Sequence, residues 1–204
     1  MKRGRKSKKK SSSSKRKKRD VLEIYFYACR DGNLKEVRES LRTVKAAVRI
    51  RDRSGKYGLH WAVMYGHADV AKILLQNGAY VNAVEKDKWA ALHYAAANGH
   101  VDVAKVLLQN GADVNAVEKD KWAALHIAAQ KGHAGVAKVL IQNGADVNAV
   151  QKDKVTALHI AAQKGHADVA KVLLQNGADV NAVDEDKWTA LHFAAENGHS
   201  DLAK

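Results

Sequence analysis

The sequence predicts an all-α solenoid, and three observations predict it. The stretch Asp87 to Lys119 returns as Asp120 to Lys152 and again as Asp153 to Glu185, a step of 33 residues. All ten histidines keep that step, in one series at His60, His93, His126, His159 and His192 and another at His67, His100, His133, His166 and His199. Each period also holds two short helical segments closed by glycine, about Ala90 to Asn98 before Gly99 and about Val101 to Gln109 before Gly111. A fixed period of this size belongs to arrays whose units bury their apolar faces only against their neighbours.

Taken in order, residues 1–20 read as a disordered polybasic tail. Residues 2–19 hold 12 Lys or Arg and no acid, and no apolar residue follows Met1, so like charges repel and no core can form. The formal net charge of +13 is concentrated there and in the first unit, since from Tyr57 onward 14 basic residues face 16 acidic ones. Residues 21–53 read as two short helices broken at Asp31-Gly32-Asn33. Ala28, Leu34, Val37 and Leu41 face inward, and Arg38, Glu39 and Arg42 sit where a terminal unit meets water. Thr43 to Ile50 carries one extra residue relative to later units. Residues 54–86 form a divergent first full unit, 87–119, 120–152 and 153–185 are regular, and 186–204 break off before the apolar triplet of their second helix. Fraying is expected from about Gly198 onward, and the chain reads as a piece of a longer array or as pairing there with another chain.

Within a regular unit, glycine favours the turn that ends a helix. Val103, Val106 and Leu107 are spaced to line one helix face. Small Ala95 and Ala96 let helices approach closely. Thr156 and Thr189 can cap their helices, whereas Ala90 and Ala123 cannot, a loss of about 1 kcal/mol each.

The run A-L-H-x-A-A-x-x-G-H followed by V-L-L-Q-N-G-A-D-V-N-A resembles the ankyrin repeat over roughly residues 21–204, with the family's T-P-L-H appearing as Ala90-Ala91-Leu92-His93 and Thr156-Ala157-Leu158-His159. The resemblance implies a helix–turn–helix–β-finger stack that binds other macromolecules, with residues 21–53 as a capping repeat. It implies that the first histidine of each pair bonds to neighbouring backbone. It makes Asn82, Asn115, Asn148 and Asn181 structural turn residues, and in eukaryotic relatives hydroxylation sites. The sequence departs from the family in three places. Gly55 keeps the left-handed glycine of the finger, but Lys88, Lys121, Lys154 and Lys187 replace it later, at a cost on the order of 1 kcal/mol each if that conformation is kept. Tyr57-Gly58 replaces Thr-Pro, which weakens a helix start. The chain has no proline at all.

Histidines seven residues apart raise the question of zinc. Zinc needs convergent ligands, usually four, whereas here one histidine begins a helix and the other follows a glycine, so the reading is structural and no cofactor or metal is expected. H-E-x-x-H, C-x-x-C, glycine-rich phosphate and G-x-S-x-G motifs are absent. Cys29, the only cysteine, reads as a small buried residue and fits a reducing compartment. No enzymatic activity is expected. No apolar run approaches the roughly 20 residues of a transmembrane helix, and no apolar segment follows the basic N-terminus as a secretory signal requires. An intracellular location, nuclear or cytoplasmic, is expected. In a microbe living inside a host the same layout would suit a secreted protein acting in the host nucleus.

The resemblance places protein-partner contacts in the concave groove, on finger tips and inner faces of first helices. These are Lys86, Asp87, Trp89, Ala97 and Asn98, then Lys119, Asp120, Trp122, Gln130 and Lys131. They continue with Lys152, Asp153, Val155, Gln163 and Lys164, then Glu185, Asp186, Trp188, Glu196 and Asn197. Trp89, Trp122 and Trp188 form a ladder with Val155 as the replaced rung, and tryptophan is enriched among residues that dominate interfaces. The competing reading has each ring merely packing across its finger onto the next repeat.

For the tail, three readings compete. Lys2, Arg3, Arg5, Lys6, Lys8, Lys9 and Lys10, then Lys15, Arg16, Lys17, Lys18 and Arg19 beyond Ser11–Ser14, resemble a bipartite nuclear import signal. The same residues suit capture of nucleic acid or anionic lipid by counterion release, or simple solubilisation. Phosphorylation of the serine run would weaken either attraction. The function expected is a protein-binding scaffold. The alternatives are a nucleic-acid- or anionic-membrane-associated protein acting through its tail, and a regulatory fragment of a longer multidomain protein.

Overall fold

Helices, turns and four isolated β-bridges account for the secondary structure of the described residues, 20–202, in a computed structural model. The polybasic stretch and its expected disorder lie outside those residues, as do the last two of the segment expected to fray. The described chain falls into two units, one up to Tyr80 and one from Val81. The first holds α1 (residues 20–31), α2 (Leu34–Thr43), a 3-10 turn (Lys45–Arg49), α3 (Gly58–Met64) and α4 (Ala68–Gln76). The second holds α5 (Ala91–Ala97), α6 (Val101–Gln109), α7 (Ala124–Lys131), α8 (Ala134–Gln142), α9 (Ala157–Lys164), α10 (Ala167–Gln175) and α11 (Ala190–Glu196), then a 3-10 turn (Ser200–Leu202).

In the first unit the helix break narrows to Gly32 and Asn33, because Asp31 still belongs to α1. Asn33 begins α2 by accepting the Glu36 amide at 3.2 Å, so a side chain satisfies one orphaned donor. Ala28, Val37 and Leu41 are buried and Arg38, Glu39 and Arg42 exposed, while Leu34 is half-buried. The extra residue after Thr43 is absorbed by the 3-10 turn, which buries Ala47 and Val48.

In the second unit, α5, α7, α9 and α11 pack in series, as do α6, α8 and α10. Close approach follows from small side chains, since Ala91, Ala95 and Ala96 of α5 are buried along with their counterparts in α7 and α9. In α6 the buried trio is Val103, Ala104 and Leu107. Val106, which spacing placed on the same face, is half-buried. The trio recurs as Val136, Ala137 and Leu140 in α8 and Val169, Ala170 and Leu173 in α10. Burying each leucine stabilises by roughly 1.5–3 kcal/mol.

Polar bonds fix the step between repeats. His93 accepts the Ala90 amide on Nδ1 at 3.0 Å, and its Nε2 donates to the Ala116 carbonyl of the following finger at 3.0 Å. His126 links Ala123 to Ala149, and His159 links Thr156 to Ala182, in the same way. Only the neutral Nε2–H tautomer serves both partners. The ring thus ties down the amide of a residue that cannot cap, and the His93 amide turns to the Ala90 carbonyl at 3.1 Å. The expected loss at Ala90 is thereby offset in part. Of the two threonines, Thr156 does accept the His159 amide, at 3.4 Å, whereas the Thr189 hydroxyl goes to the His192 ring at 2.8 Å and caps no amide.

The second histidine series reaches backwards. His133, His166 and His199 bond the carbonyls of Ala97, Gln130 and Gln163 at 3.2–3.3 Å, and His67 bonds Arg30 at 2.8 Å. Each ring lies so close over Gly99, Gly132, Gly165 or Gly32 that a Cβ there would meet it at 2.6–2.8 Å.

Gly58, read from sequence as a weakness, has a packing reason. A Cβ at Gly58 would lie 2.3 Å from the Tyr25 hydroxyl, and Tyr25 is fully buried. Among the described residues that hydroxyl finds no nitrogen or oxygen partner, and the Cys29 thiol lies beside it. Burial pushes the Cys29 thiol up to about 12, so it stays protonated and unreactive at neutral pH.

Gly58→Ala should therefore destabilise the chain by about 1–3 kcal/mol in urea unfolding, as overpacking does. Adding Tyr25→Phe removes the nearest obstructing atom but leaves ring carbons 2.6 and 2.8 Å from the new Cβ, so it should recover only a part of that loss. The histidines give a pH dependence. Burial holds His93 and His126 below the ordinary value of 6.5, against partial support from Glu118 and Asp146 respectively. Their stabilisation is thus fully present above about pH 6.5 and declines as pH falls towards and through the lowered folded values, because the unfolded chain takes up the protons first. His93→Gln/His126→Gln should flatten the stability profile between pH 7 and 5 in denaturant titrations.

Candidate partner-binding surface

The site is built from the fingers outward. In each finger a residue at the base accepts the backbone of the turn above it. Glu118 Oε1 accepts the amides of Asp120 and Trp122 at 2.7 and 3.1 Å, and Asp184 Oδ1 accepts those of Asp186 and Trp188 at 3.0 and 2.8 Å. Glu85 accepts Asp87 at 2.9 Å and Gln151 accepts Asp153 at 3.4 Å. In the first unit Asp52 does the same for Ser54 and Lys56, and its other oxygen takes the Trp61 indole proton at 2.8 Å. Burial alone would raise the Asp52 carboxyl, but the bonds from Ser54, Lys56 and Trp61 outweigh it and hold the group below the ordinary carboxylate range. The sequence reading did not single out these acceptors. Their signal was a charged or amide residue at one phase of the period, 33 residues apart, two positions before each finger-tip aspartate or Ser54.

The turns close on residues in the left-handed region, with φ 61° at Lys88, 64° at Lys121, 56° at Lys154 and 66° at Lys187, as against 85° at Gly55. The lysine amides bond Glu85, Glu118, Gln151 and Asp184 carbonyls at 3.1–3.3 Å. The finger geometry is therefore kept and the strain is carried. Between repeats, Asn82 donates to the Gly111 carbonyl and accepts the Asp113 amide, and Asn115 and Asn148 repeat this with Gly144–Asp146 and Gly177–Asp179. These asparagines are structural.

On this frame Lys86, Asp87, Lys119, Asp120, Lys152, Asp153, Glu185 and Asp186 are exposed at the finger tips. Lys152 pairs with Asp120 across adjacent fingers, and its ammonium keeps that carboxyl below the ordinary range. Trp89, Trp122, Val155 and Trp188 are half-buried. The rings pack on the first helix of their own repeat. Trp89 lies 5.0 Å from Tyr94, Trp188 5.4 Å from Phe193 and Trp122 6.2 Å from His126, centroid to centroid.

Two open clefts result. Trp89, Trp122, Asp120, Gln130 and Lys131 line one of about 340 Å³, with Glu118 and Ile127. Trp122, Val155, Gln130, Gln163 and Lys164 line another of about 250 Å³, with Ile160 and Phe193. The structure thus brings Trp89, Trp122, Asp120 and Lys131 together, and Trp122, Val155 and Lys164. Asn98 and Asn197 are placed differently, since each side-chain amide folds back on the carbonyl of Tyr94 or Phe193 at 2.9 Å and ends its own helix. Ala97 and Glu196 are the last residues of α5 and α11. Among the described residues, no group of three or more His, Cys, Asp or Glu could hold a metal ion, and no helix is long and apolar enough to cross a membrane.

Left-handed lysine costs about 1–2 kcal/mol, and glycine returns about 0.5–1 kcal/mol of that in chain entropy. Lys88→Gly/Lys121→Gly/Lys154→Gly/Lys187→Gly should gain about 2 kcal/mol in total, near 0.5 per distant site. Urea unfolding measures it, and a variant no more stable than the parent would remove finger strain from the account.

A family profile for ankyrin repeats (three copies) matches residues 25–118, 81–151 and 125–204. Among curated proteins, the chain is 38% identical over 52 residues to acyl-CoA-binding domain-containing protein 6 of Danio rerio, 26% of this chain and 17% of that one. It is 36% identical over 66 residues to palmitoyltransferase akr1 of Schizosaccharomyces pombe, 32% of this chain and 10% of that one. It is 36% identical over 59 residues to human 26S proteasome non-ATPase regulatory subunit 10, 29% of this chain and 26% of that one. The matches span between a tenth and about a quarter of the length of these relatives. Ankyrin repeats serve as protein–protein interaction modules, typically without catalysis of their own. The matched profile, the two histidine ladders and the finger turns together assign this chain to the ankyrin-repeat family.

Proposed function

We propose that the chain is a non-catalytic scaffold that binds a protein partner stoichiometrically along the finger bases and first helices of residues 81–202. One observation carries this reading: Trp89 and Trp122 stand at the wall of the same open cleft of about 340 Å³, flanked by Asp120 and Lys131. A half-buried indole beside a charged pair offers a partner an apolar anchor and a polar rim, the anatomy of an energetic hot spot. Trp122 also lines the next cleft, with Val155 and Lys164, so one extended segment can engage both. Trp188, Lys86, Asp87, Lys119, Lys152, Asp153, Glu185 and Asp186 extend the surface.

The 12 Lys and Arg of residues 2–19 support a second element of the proposal, nuclear import or electrostatic capture of the partner. The same charge supports the rival, in which the tail holds nucleic acid or anionic lipid and the repeats act as a spacer. Binding that falls steeply with salt and disappears without Met1 to Arg19 belongs to that rival.

The test is affinity capture at physiological salt with Met1 to Arg19 removed, comparing intact repeats with Trp89→Ala/Trp122→Ala/Trp188→Ala after circular dichroism has shown both folded. The indoles should matter by about 2 kcal/mol or more, roughly thirtyfold in affinity. A partner held equally by both proteins would refute the site.

A further inference from the structure

The first unit holds a groove that the repeat surface above does not include. It lies between α1 and the first finger and encloses about 670 Å³, twice the larger of the two clefts of the second unit. Its floor is apolar, from Leu22 and Phe26 of α1, Ile50 ahead of the finger and Trp61 of α3. Its wall is cationic, from Arg30, Arg51 and Arg53. We propose that this groove binds an acidic peptide segment carrying one bulky apolar side chain, with the side chain on the floor and its flanking carboxylates on the arginines.

Three features select that occupant. The first is that Asp52, the carboxylate beside the finger arginines, is already engaged from within. Asp52 is saturated by the finger amides, the Ser54 hydroxyl and the Trp61 indole. Arg30 is itself occupied by Asp31, at 2.7 Å, which leaves Arg51 and Arg53 to take a ligand's carboxylates. Among the described residues, the guanidinium of Arg51 donates to the neutral Tyr57 hydroxyl, at 2.8 Å, and Arg53 stands exposed at the finger tip. The first finger thus presents Arg51, Arg53 and Lys56 around one aspartate whose oxygens are taken up by hydrogen bonds, whereas the later ones read Glu-Lys-Asp-Lys, Glu-Lys-Asp-Lys, Gln-Lys-Asp-Lys and Asp-Glu-Asp-Lys.

The second feature is preorganisation. Arg30 lies 5.0 Å over the Tyr27 ring and Arg51 4.9 Å over the Tyr57 ring, so both guanidinium planes are held before a ligand arrives. A fixed planar fork suits bidentate carboxylate recognition.

The third feature separates peptide from nucleic acid. Glu23 also lines the groove and is exposed. A carboxylate there repels phosphate and carboxylate alike, so the ligand's charges must sit at the finger arginines, and it can accept the main-chain amides that a peptide supplies and a polynucleotide lacks.

The test uses the full chain and four fluorescein-labelled probes at physiological salt, read by anisotropy. One is a twelve-residue Glu-rich peptide with a central Leu-Phe pair, the second has Ala-Ala in place of that pair, the third has Lys in place of Glu, and the fourth is a twelve-nucleotide oligo(dT). The anchored acidic peptide should bind about tenfold or more tighter than the Ala-Ala peptide, because the basic tail attracts both alike while only the groove reads the anchor. Phe26→Ala should abolish that preference. Arg53→Glu, at an exposed position that folding does not depend on, should weaken the anchored peptide about tenfold and leave the Ala-Ala peptide little changed. Equal binding of the two acidic peptides, or an anchor preference that survives Arg53→Glu, overturns the proposal. Oligo(dT) binding that exceeds the anchored peptide and falls with Arg53→Glu overturns it in favour of nucleic acid. Trp89→Ala/Trp122→Ala/Trp188→Ala should leave the anchor preference intact, so failure here and failure of the repeat surface are read separately.

Discussion

A buried imidazole bonded at both nitrogens holds the repeats in step. His93, His126 and His159 each take an amide at the start of their own helix and give a proton to the carbonyl of the finger that follows. This places one helix start and the next finger at a fixed separation, and the rest of the repeat is arranged about that distance. The finger hangs from the bonded carbonyl, its turn is clamped by Glu118 or its equivalents, and the tryptophan that lines the cleft follows the turn directly. Loss of one ring nitrogen's partner would leave a buried polar group on each side, at a cost of roughly 1–3 kcal/mol apiece. The alanine at Ala90 is tolerable because the His93 amide, which a capping hydroxyl would have taken, bonds the Ala90 carbonyl instead.

Much of this was legible in the sequence because it repeats. Phase alone revealed the histidines, the glycines after each helix and the apolar stripe. The asparagines were placed in their turns by the family resemblance. What escaped was of two kinds. Glu85, Glu118 and Asp184 look like any surface acid in a polar loop, and only their bonds to the amides above reveal them as clamps. Gly58 is explained by Tyr25, 33 residues earlier and outside the regular repeats, so no local pattern could expose it. Val106 and Ala104 exchanged roles for a simpler reason. With apolar residues on more than one side of α6, helical spacing leaves the choice of face to packing. Asn98 and Asn197, expected at the partner surface, are exposed and also bond their own helices, a role that phase alone does not reveal.

The chain divides its chemistry between its ends. The second unit is close to charge balance and presents half-buried indoles at regular spacing. The first gathers arginines over aromatic rings around an apolar groove. Both surfaces are made of the same parts, a finger and the first helix of a pair, and differ in the residues carried at equivalent phases. Specificity in such a scaffold is a matter of which side chain stands at a given phase, with the backbone left unchanged.

The asparagine and histidine bonds of the second unit connect residues 23, 29, 31 or 36 positions apart, and every one of those spans is reproduced by its neighbours. Nothing in them refers to the length of the whole array. A duplication or loss of one complete period therefore restores each bond with the equivalent residue of another copy, whereas a change of any other length has to be absorbed locally, as the turn after Thr43 absorbs one residue while His67 stays bonded to Arg30 across 37 positions. The near-identity of residues 87–119, 120–152 and 153–185 is the trace such whole-unit copying leaves in a gene. The architecture grows or shrinks in quanta, and evolution can change the reach of the surface without redesigning the joint.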